Sequence, residues 1–133
     1  MKKTLSLFFA AVLALTATAK PRVWKLTTEN MTSPLGLYTH TPRFSWQITD
    51  AKNNCRQTAY RIIVATSPEL LKAGKGDLWD SGYVESDASL WIPYGGKRLV
   101  DNMRAFWTVA VKTDKGQTEW AEPQEFGIGL PAE

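Results

Sequence analysis

Short runs in which apolar and polar residues alternate recur along this chain, and residues that favour turns separate them. Two runs alternate over most of their length, 44–48 and 106–112, and in each every second residue is large and apolar. Alternation with a period of two places those residues on one face of a strand. Together with the β-branched stretch 59–66, they predict a structural core made of Phe44, Trp46, Ile62, Val64, Trp107, Val109 and Val111.

Further short runs near Val23, Tyr83, Leu90 and Gln124 bring the number of predicted strands to about seven, at intervals of about ten residues. Helical periodicity is almost absent, apart from one turn after Ser67-Pro68, which suit an N-cap and a first helical position. This pattern predicts an all-β fold, an antiparallel β-sandwich. A small barrel would produce the same pattern and is the alternative.

The N-terminus has the layout of a secretory signal peptide. Lys2 and Lys3 precede an apolar run, 5–15, and the small residues 17–19 read Ala-Thr-Ala. The uncharged stretch is shorter than the roughly 20 residues of a spanning helix, which disfavours a membrane anchor. We therefore expect cleavage between Ala19 and Lys20. Residues 1–19 are then the signal peptide and 20–133 the folded domain, exported to the periplasm or the extracellular space with no stable membrane anchor.

Charge and cysteine content indicate which partners are not expected and how the domain is stabilised. Loss of Lys2 and Lys3 lowers the formal net charge from +3 to +1, and the remaining charges are of mixed sign, so nucleic acid is not an expected partner. Cys55 is the only cysteine, so no intramolecular disulfide can form. A domain of this length can instead be stabilised by one packed core.

Residues that could carry chemistry are sparse, and we predict no catalytic, cofactor-binding or metal-binding residues. His40 is the only histidine, which leaves nucleophilic triads and zinc sites without partners. The acids of the segment 77–87 lack the spacing of a calcium loop and are interpreted as turn-capping and solvated residues. Glycoside hydrolysis needs two carboxylates facing each other across a cleft, and a sandwich of this size leaves little room for one.

Five segments in order resemble the N-terminal fibronectin type III-like module of bacterial α-L-rhamnosidases, and the alternating strands 44–48 and 106–112 also resemble fibronectin type III and immunoglobulin-like cores. The five segments are Ser33-Pro34-Leu35-Gly36-Leu37, Thr41-Pro42-Arg43-Phe44-Ser45-Trp46, Gln57-Thr58-Ala59-Tyr60-Arg61-Ile62, Gly76-Asp77-Leu78-Trp79-Asp80-Ser81-Gly82 and Trp120-Ala121-Glu122-Pro123. The resemblance implies a non-catalytic accessory module whose partners are the neighbouring domains of a glycoside hydrolase. The (α/α)6 barrel that carries that family's catalytic carboxylates would lie elsewhere. One departure is Ala105, where such modules often have a tyrosine six residues after a leucine, here Leu99.

Three aromatic residues are candidates for contact with a sugar or with another domain: Trp79, Trp91 and Tyr94. Exposed aromatic faces can stack on sugar rings, which would make the chain a freestanding carbohydrate-binding or adhesion module. Packing within the sandwich or against a neighbouring domain explains the same residues. The two interpretations differ in whether the rings are exposed.

Overall fold

The computed structural model describes residues 21–49 and 55–131. The predicted signal peptide and its cleavage site at Ala19 and Lys20 lie outside the described residues. Within the described part of the chain, the elements in order are β1 (Arg22–Thr28), β2 (Leu35–Leu37), β3 (Arg43–Thr49), β4 (Gln57–Ala65), α1 (Pro68–Lys72), β5 (Trp79–Asp80), β6 (Val84–Glu85), β7 (Ile92–Pro93), β8 (Arg104–Thr113), β9 (Gly116–Gln117) and β10 (Gln124–Ile128).

The strands form two open sheets, which confirms the sandwich and excludes the barrel. One sheet has the order β1-β3-β7, and the other has the order β2-β10-β8-β4-β5, with β6 paired to β4 and β9 to β8. Every pairing between strands is antiparallel except that of β2 with β10. The expectation of a wholly antiparallel fold needs that one correction.

Strand β2 is one of the short elements that alternation along the sequence does not predict. It has three residues, and Gly36 has a φ of +103°, a backbone conformation that side chains disfavour. Leu35 pairs with Gly127 and Leu37 with Ile128, so the register shifts at Gly36. This strand exists because of partners about ninety residues away, which local alternation cannot reveal.

The two sheets close over Trp46 and Trp107, which are 1% and 0% exposed. Phe44, Ile62, Val64, Val109 and Val111 are also fully buried in the same cluster. The Phe44 and Trp107 rings lie 4.4 Å apart between centroids. Burying large aromatic and branched side chains is the main stabilising contribution available to a chain with no disulfide.

Each of the two buried indoles donates a hydrogen bond across the sandwich. Trp46 Nε1 in β3 donates to Gln57 Oε1 in β4 at 3.0 Å, and Trp107 Nε1 in β8 donates to Thr28 Oγ1 in β1 at 3.0 Å. Gln57 Nε2 in turn donates to the carbonyl oxygens of Ser86 and Ala88. The two sheets are therefore joined by directional bonds as well as by apolar contact.

The outer face of β4 and β8 is also covered. Ile63, Ala65 and Leu71 form a second buried cluster, because α1 packs there. The helix begins where the sequence predicts it, with Ser67 Oγ accepting from Leu70 N at 3.4 Å and Pro68 in the first turn. Ala105 and Leu99 are buried, and the expected departure remains, since neither carries the hydroxyl that a tyrosine would supply.

Candidate functional site

The segment from Gly76 to Gly82 carries two acids, and both carboxylates are bound to neighbouring residues. A Cβ on Gly76 would overlap the carbonyl oxygen of Trp79, so only glycine fits there. Asp77 accepts hydrogen bonds from Thr66 N at 2.9 Å and Thr66 Oγ1 at 2.7 Å. Asp77 therefore anchors the start of this segment to the end of β4.

Asp80 accepts hydrogen bonds from two neighbouring residues. Its carboxylate accepts from Arg61 Nε at 3.0 Å and Nη2 at 2.7 Å, and from the backbone N of Gly82 at 2.9 Å. The last of these bonds closes the Asx turn that the sequence predicts. The hydrogen bond from Arg61 lowers the pKa of Asp80, and it outweighs the opposing effect of burial. Asp80 is thus an ionised structural anchor.

The other carboxylates near clefts are exposed. A cleft of about 520 Å³ between β1 and the segment before β10 is lined by Glu119 and Glu122, and one of about 770 Å³ at the end of the sandwich is lined by Asp87 and Asp114. All four of these acids are exposed. A general acid for glycoside hydrolysis needs a carboxyl group shielded from water, so neither cleft has the environment that this reaction requires.

His40 has a partner that sequence reasoning did not find. Its Nε2 lies 2.7 Å from Asp101 Oδ1, and both side chains are largely exposed. The two residues are 61 positions apart, so no local spacing could indicate the pair. The contact joins the loop after β2 to the loop before β8.

Two of the three aromatic candidates lie inside the fold. Tyr94 is 6% exposed, and its hydroxyl contacts the carbonyl oxygens of Leu78 and Lys97. Burial raises the pKa of Tyr94 to about 12, with a smaller contribution from the charge of Asp77. Trp79 is half-buried and packs edge-on to Tyr94, with the ring centroids 5.4 Å apart. Neither ring offers the open face that stacking on a sugar requires, so packing accounts for both.

Trp91 is different, because it is 54% exposed and yet held firmly. Its Nε1 donates to Asn30 Oδ1 at 2.8 Å, and its backbone N donates to Ser45 Oγ at 2.9 Å. The guanidinium of Arg43 lies 5.6 Å from the ring centroid and is itself bound by Glu29 through two hydrogen bonds of 2.9 and 3.1 Å. We call Trp91 with Glu29, Asn30 and Arg43 the Trp91 platform.

Backbone strain is concentrated in the Trp91 platform. Trp91 has a φ of +56°, and Glu29 and Asn30 have φ values of +50° and +64°. A bulky residue in this left-handed region costs free energy, which the surrounding contacts must offset. The expected strand at Leu90 to Ile92 therefore shortens to β7, Ile92–Pro93, because Trp91 leaves the extended conformation.

Among residues 21–49 and 55–131, no group of three or more His, Cys, Asp and Glu side chains is placed to hold a metal ion. In the same part of the chain, no helix is both long and apolar enough to cross a bilayer.

The two stacked sheets and their bound acids define a small immunoglobulin-like module whose distinctive side chains mostly serve packing. Residues 23–132 match the family described as "Rha78A-like, N-terminal immunoglobulin domain". The chain belongs to this family.

Its relatives are much longer proteins. The chain is 41% identical over 103 residues to an α-L-rhamnosidase of Formosa agariphila, an alignment that covers 77% of this chain and 11% of the relative. The crystal structure of Streptomyces avermitilis α-L-rhamnosidase complexed with L-rhamnose superposes with a TM-score of 0.79 at 39% identity, covering 84% of this chain and 11% of that one. The α-L-rhamnosidase from Dictyoglumus thermophilum superposes with a TM-score of 0.78 at 34% identity, covering 82% and 12%. The chain thus spans about a tenth of the relatives that it matches.

Proposed function

We propose that this chain is an exported, non-catalytic accessory module of an α-L-rhamnosidase, in which hydrolysis of rhamnosyl glycosides belongs to other domains. One observation carries the proposal: the matched region makes up about a tenth of each relative, and this tenth is an immunoglobulin-like domain. The signal-peptide pattern of residues 1–19 supports export to the periplasm or the extracellular space.

The contacts of the segment 76–82 support a structural role. Its two acids bind Thr66, Arg61 and the backbone, so both carboxylates already have partners. Hydrogen bonds from the two buried indoles hold the sheets together, which suits the task of holding a neighbouring domain in place. The proposed role is therefore to position or stabilise the rest of the enzyme.

The proposal is tested with purified residues 20–133 and an aryl α-L-rhamnoside. We expect no release of the aryl group above the uncatalysed rate, because the exposed carboxylates cannot act as a shielded general acid. The full-length Streptomyces avermitilis α-L-rhamnosidase is the positive control. Turnover by residues 20–133 that persists through purification would overturn the proposal.

A second candidate function is a carbohydrate-binding or adhesion module that uses the Trp91 platform. The observation in its favour is that an exposed indole is fixed by a hydrogen bond, a neighbouring cation and a strained backbone. Strain of this kind is often retained at binding sites, and a ring ordered in advance loses little conformational entropy when a ligand stacks on it. Tyr94 has no part in this candidate, because it is buried.

Calorimetric titration with L-rhamnose and with rhamnose-containing oligosaccharides tests the second candidate. It predicts binding that Trp91→Ala abolishes and that Trp24→Ala leaves unchanged, since Trp24 is a comparably exposed indole with Lys25 beside it. If the unsubstituted chain does not bind, or if the two variants behave alike, the second candidate is wrong and the accessory role stands alone.

A further inference from the structure

Three segments of the chain meet where β10 ends. Gly129 N donates to Leu37 O at 2.8 Å, and Asn102 N donates to Gly129 O at 3.1 Å. The side-chain contact of His40 with Asp101 adds a link between two of these segments. The loop after β2, the loop before β8 and the residues after β10 therefore form one bonded corner of the sandwich.

Four large apolar side chains of β2 and these three segments are exposed. They are 58% exposed at Leu35, 91% at Tyr38, 49% at Val100 and 71% at Leu130. We call these four residues the β10 corner. Single exposed apolar residues are ordinary on a protein surface, but a group of them on adjoining segments marks an interaction site.

The composition of the β10 corner matches that of a protein interface. Among the described residues, no hydrogen bond is formed by the Tyr38 hydroxyl, so this ring offers an apolar face and a free polar group. The His40–Asp101 contact joins the segments that carry Tyr38 and Val100, so a polar pair accompanies the apolar side chains. The exposed indoles elsewhere, Trp24 and Trp91, instead each have a cation over the ring.

We propose that the β10 corner packs against the domain that follows this module in an α-L-rhamnosidase chain. This inference rests on the proposed function, that the chain is an accessory module of such an enzyme. The family is described as an N-terminal domain, and the relatives are about ten times longer than the matched region, so most of their length follows it. Leu130 lies two residues beyond the end of β10, where the connection to a following domain runs.

The module and the following domain belong to one chain, so a small contact is sufficient to hold them against each other. A domain tethered next to the corner is present at an effective concentration of roughly millimolar, so a contact too weak to hold separate proteins can persist within one chain. Interfaces between domains of one chain bury about 600–1,500 Å². The partner surface that fits is apolar, with a hydrogen-bonding group for the Tyr38 hydroxyl.

The test places residues 21–131 of this chain in the Streptomyces avermitilis α-L-rhamnosidase in place of its own module, which is 39% identical in the superposition. Tyr38→Ser should lower the unfolding temperature of the chimera by at least about 2 °C, because the contact with the following domain is lost. The same substitution should leave the unfolding temperature of the isolated residues 20–133 unchanged. Leu90→Ser is the matched control, since Leu90 is 68% exposed and lies outside the corner.

Equal shifts for Tyr38→Ser and Leu90→Ser in the chimera would overturn the inference, as would an equal shift for Tyr38→Ser in the isolated module. A dimer of the isolated module that Tyr38→Ser dissociates would assign the corner to a second copy and overturn it too. If the chimera does not fold, the isolated module is titrated to millimolar concentration, the effective concentration of a tethered domain, into the Streptomyces enzyme lacking its own module. Binding lost in Tyr38→Ser supports the inference, and no binding at that concentration rejects it. These results are independent of the turnover assay, which tests the proposed function.

Discussion

At the scale of single residues, buried polar atoms explain why large indoles can fill this interior. An indole N–H that is removed from water needs an acceptor, and Gln57 and Thr28 supply one each for Trp46 and Trp107. The sequence predicts that both tryptophans belong to the core, but it does not indicate their acceptors. Gln57 and Thr28 come from the opposite sheet in each case, so only the packing of the sheets identifies them.

Gln57→Ala should lower the free energy of unfolding by about 1–3 kcal/mol, because the Trp46 N–H and two backbone carbonyls then lose their partner in the interior. Urea unfolding followed by tryptophan fluorescence measures the change. Gln47→Ala is the control, since Gln47 lies in the preceding strand β3 and is exposed. It should change stability by less than about 0.5 kcal/mol. Similar losses for the two variants would contradict the assigned role of Gln57.

At the scale of elements, long alternating strands were the easiest to predict and short ones the hardest. Strands β3, β4 and β8 are long enough for alternation to define which face is buried. Strand β2 has three residues and β7 has two, and each depends on a partner strand distant in sequence. Their positions are decided by tertiary pairing, because a strand of two or three residues is too short to show an alternation of apolar and polar residues.

The stability of the pairing between β4 and β5 should depend on pH through Asp80 and Arg61. The folded state lowers the pKa of Asp80 from its usual 3.8, so the ion pair stabilises the fold at neutral pH and this contribution disappears as pH falls through the lowered value. Asp80→Asn should therefore reduce the free energy of unfolding at pH 7, by about 0.2–1 kcal/mol for a partly exposed pair, and the reduction should shrink towards pH 2.

Asparagine still accepts the hydrogen bond from Gly82 N, so Asp80→Asn removes the negative charge and keeps the Asx turn. Urea unfolding at several pH values between 7 and 2 provides the measurement. Glu85→Gln removes an exposed charge from the neighbouring strand β6 and should have little effect at any of these pH values. A loss of stability from Asp80→Asn that is constant with pH would show that the charge does not matter.

At the scale of the whole molecule, export and folding should involve different parts of the chain. We predict that cells secreting this protein release a form beginning at Lys20, because signal peptidase cleaves after the Ala-Thr-Ala sequence. N-terminal sequencing of the exported protein measures this directly. Ala19→Leu should impair processing, because the cleavage site requires a small residue there, whereas Pro21→Ala should not. An exported protein that begins at Met1 or Lys2 would refute the prediction.

Local order along the chain was enough to predict an all-β fold with Trp46 and Trp107 inside, because alternation with a period of two indicates which face of a strand is buried. The tertiary structure then decided for the two-sheet sandwich over the barrel. Local order was also enough to indicate the family, through five segments that in the structure mainly serve packing and turns. Only the tertiary structure decided that Tyr94 is buried while Trp91 is exposed, that His40 pairs with Asp101, and that Tyr38 and Leu130 share one corner. Each of these facts depends on which segments distant in sequence come into contact, and the local sequence around a residue does not indicate those contacts.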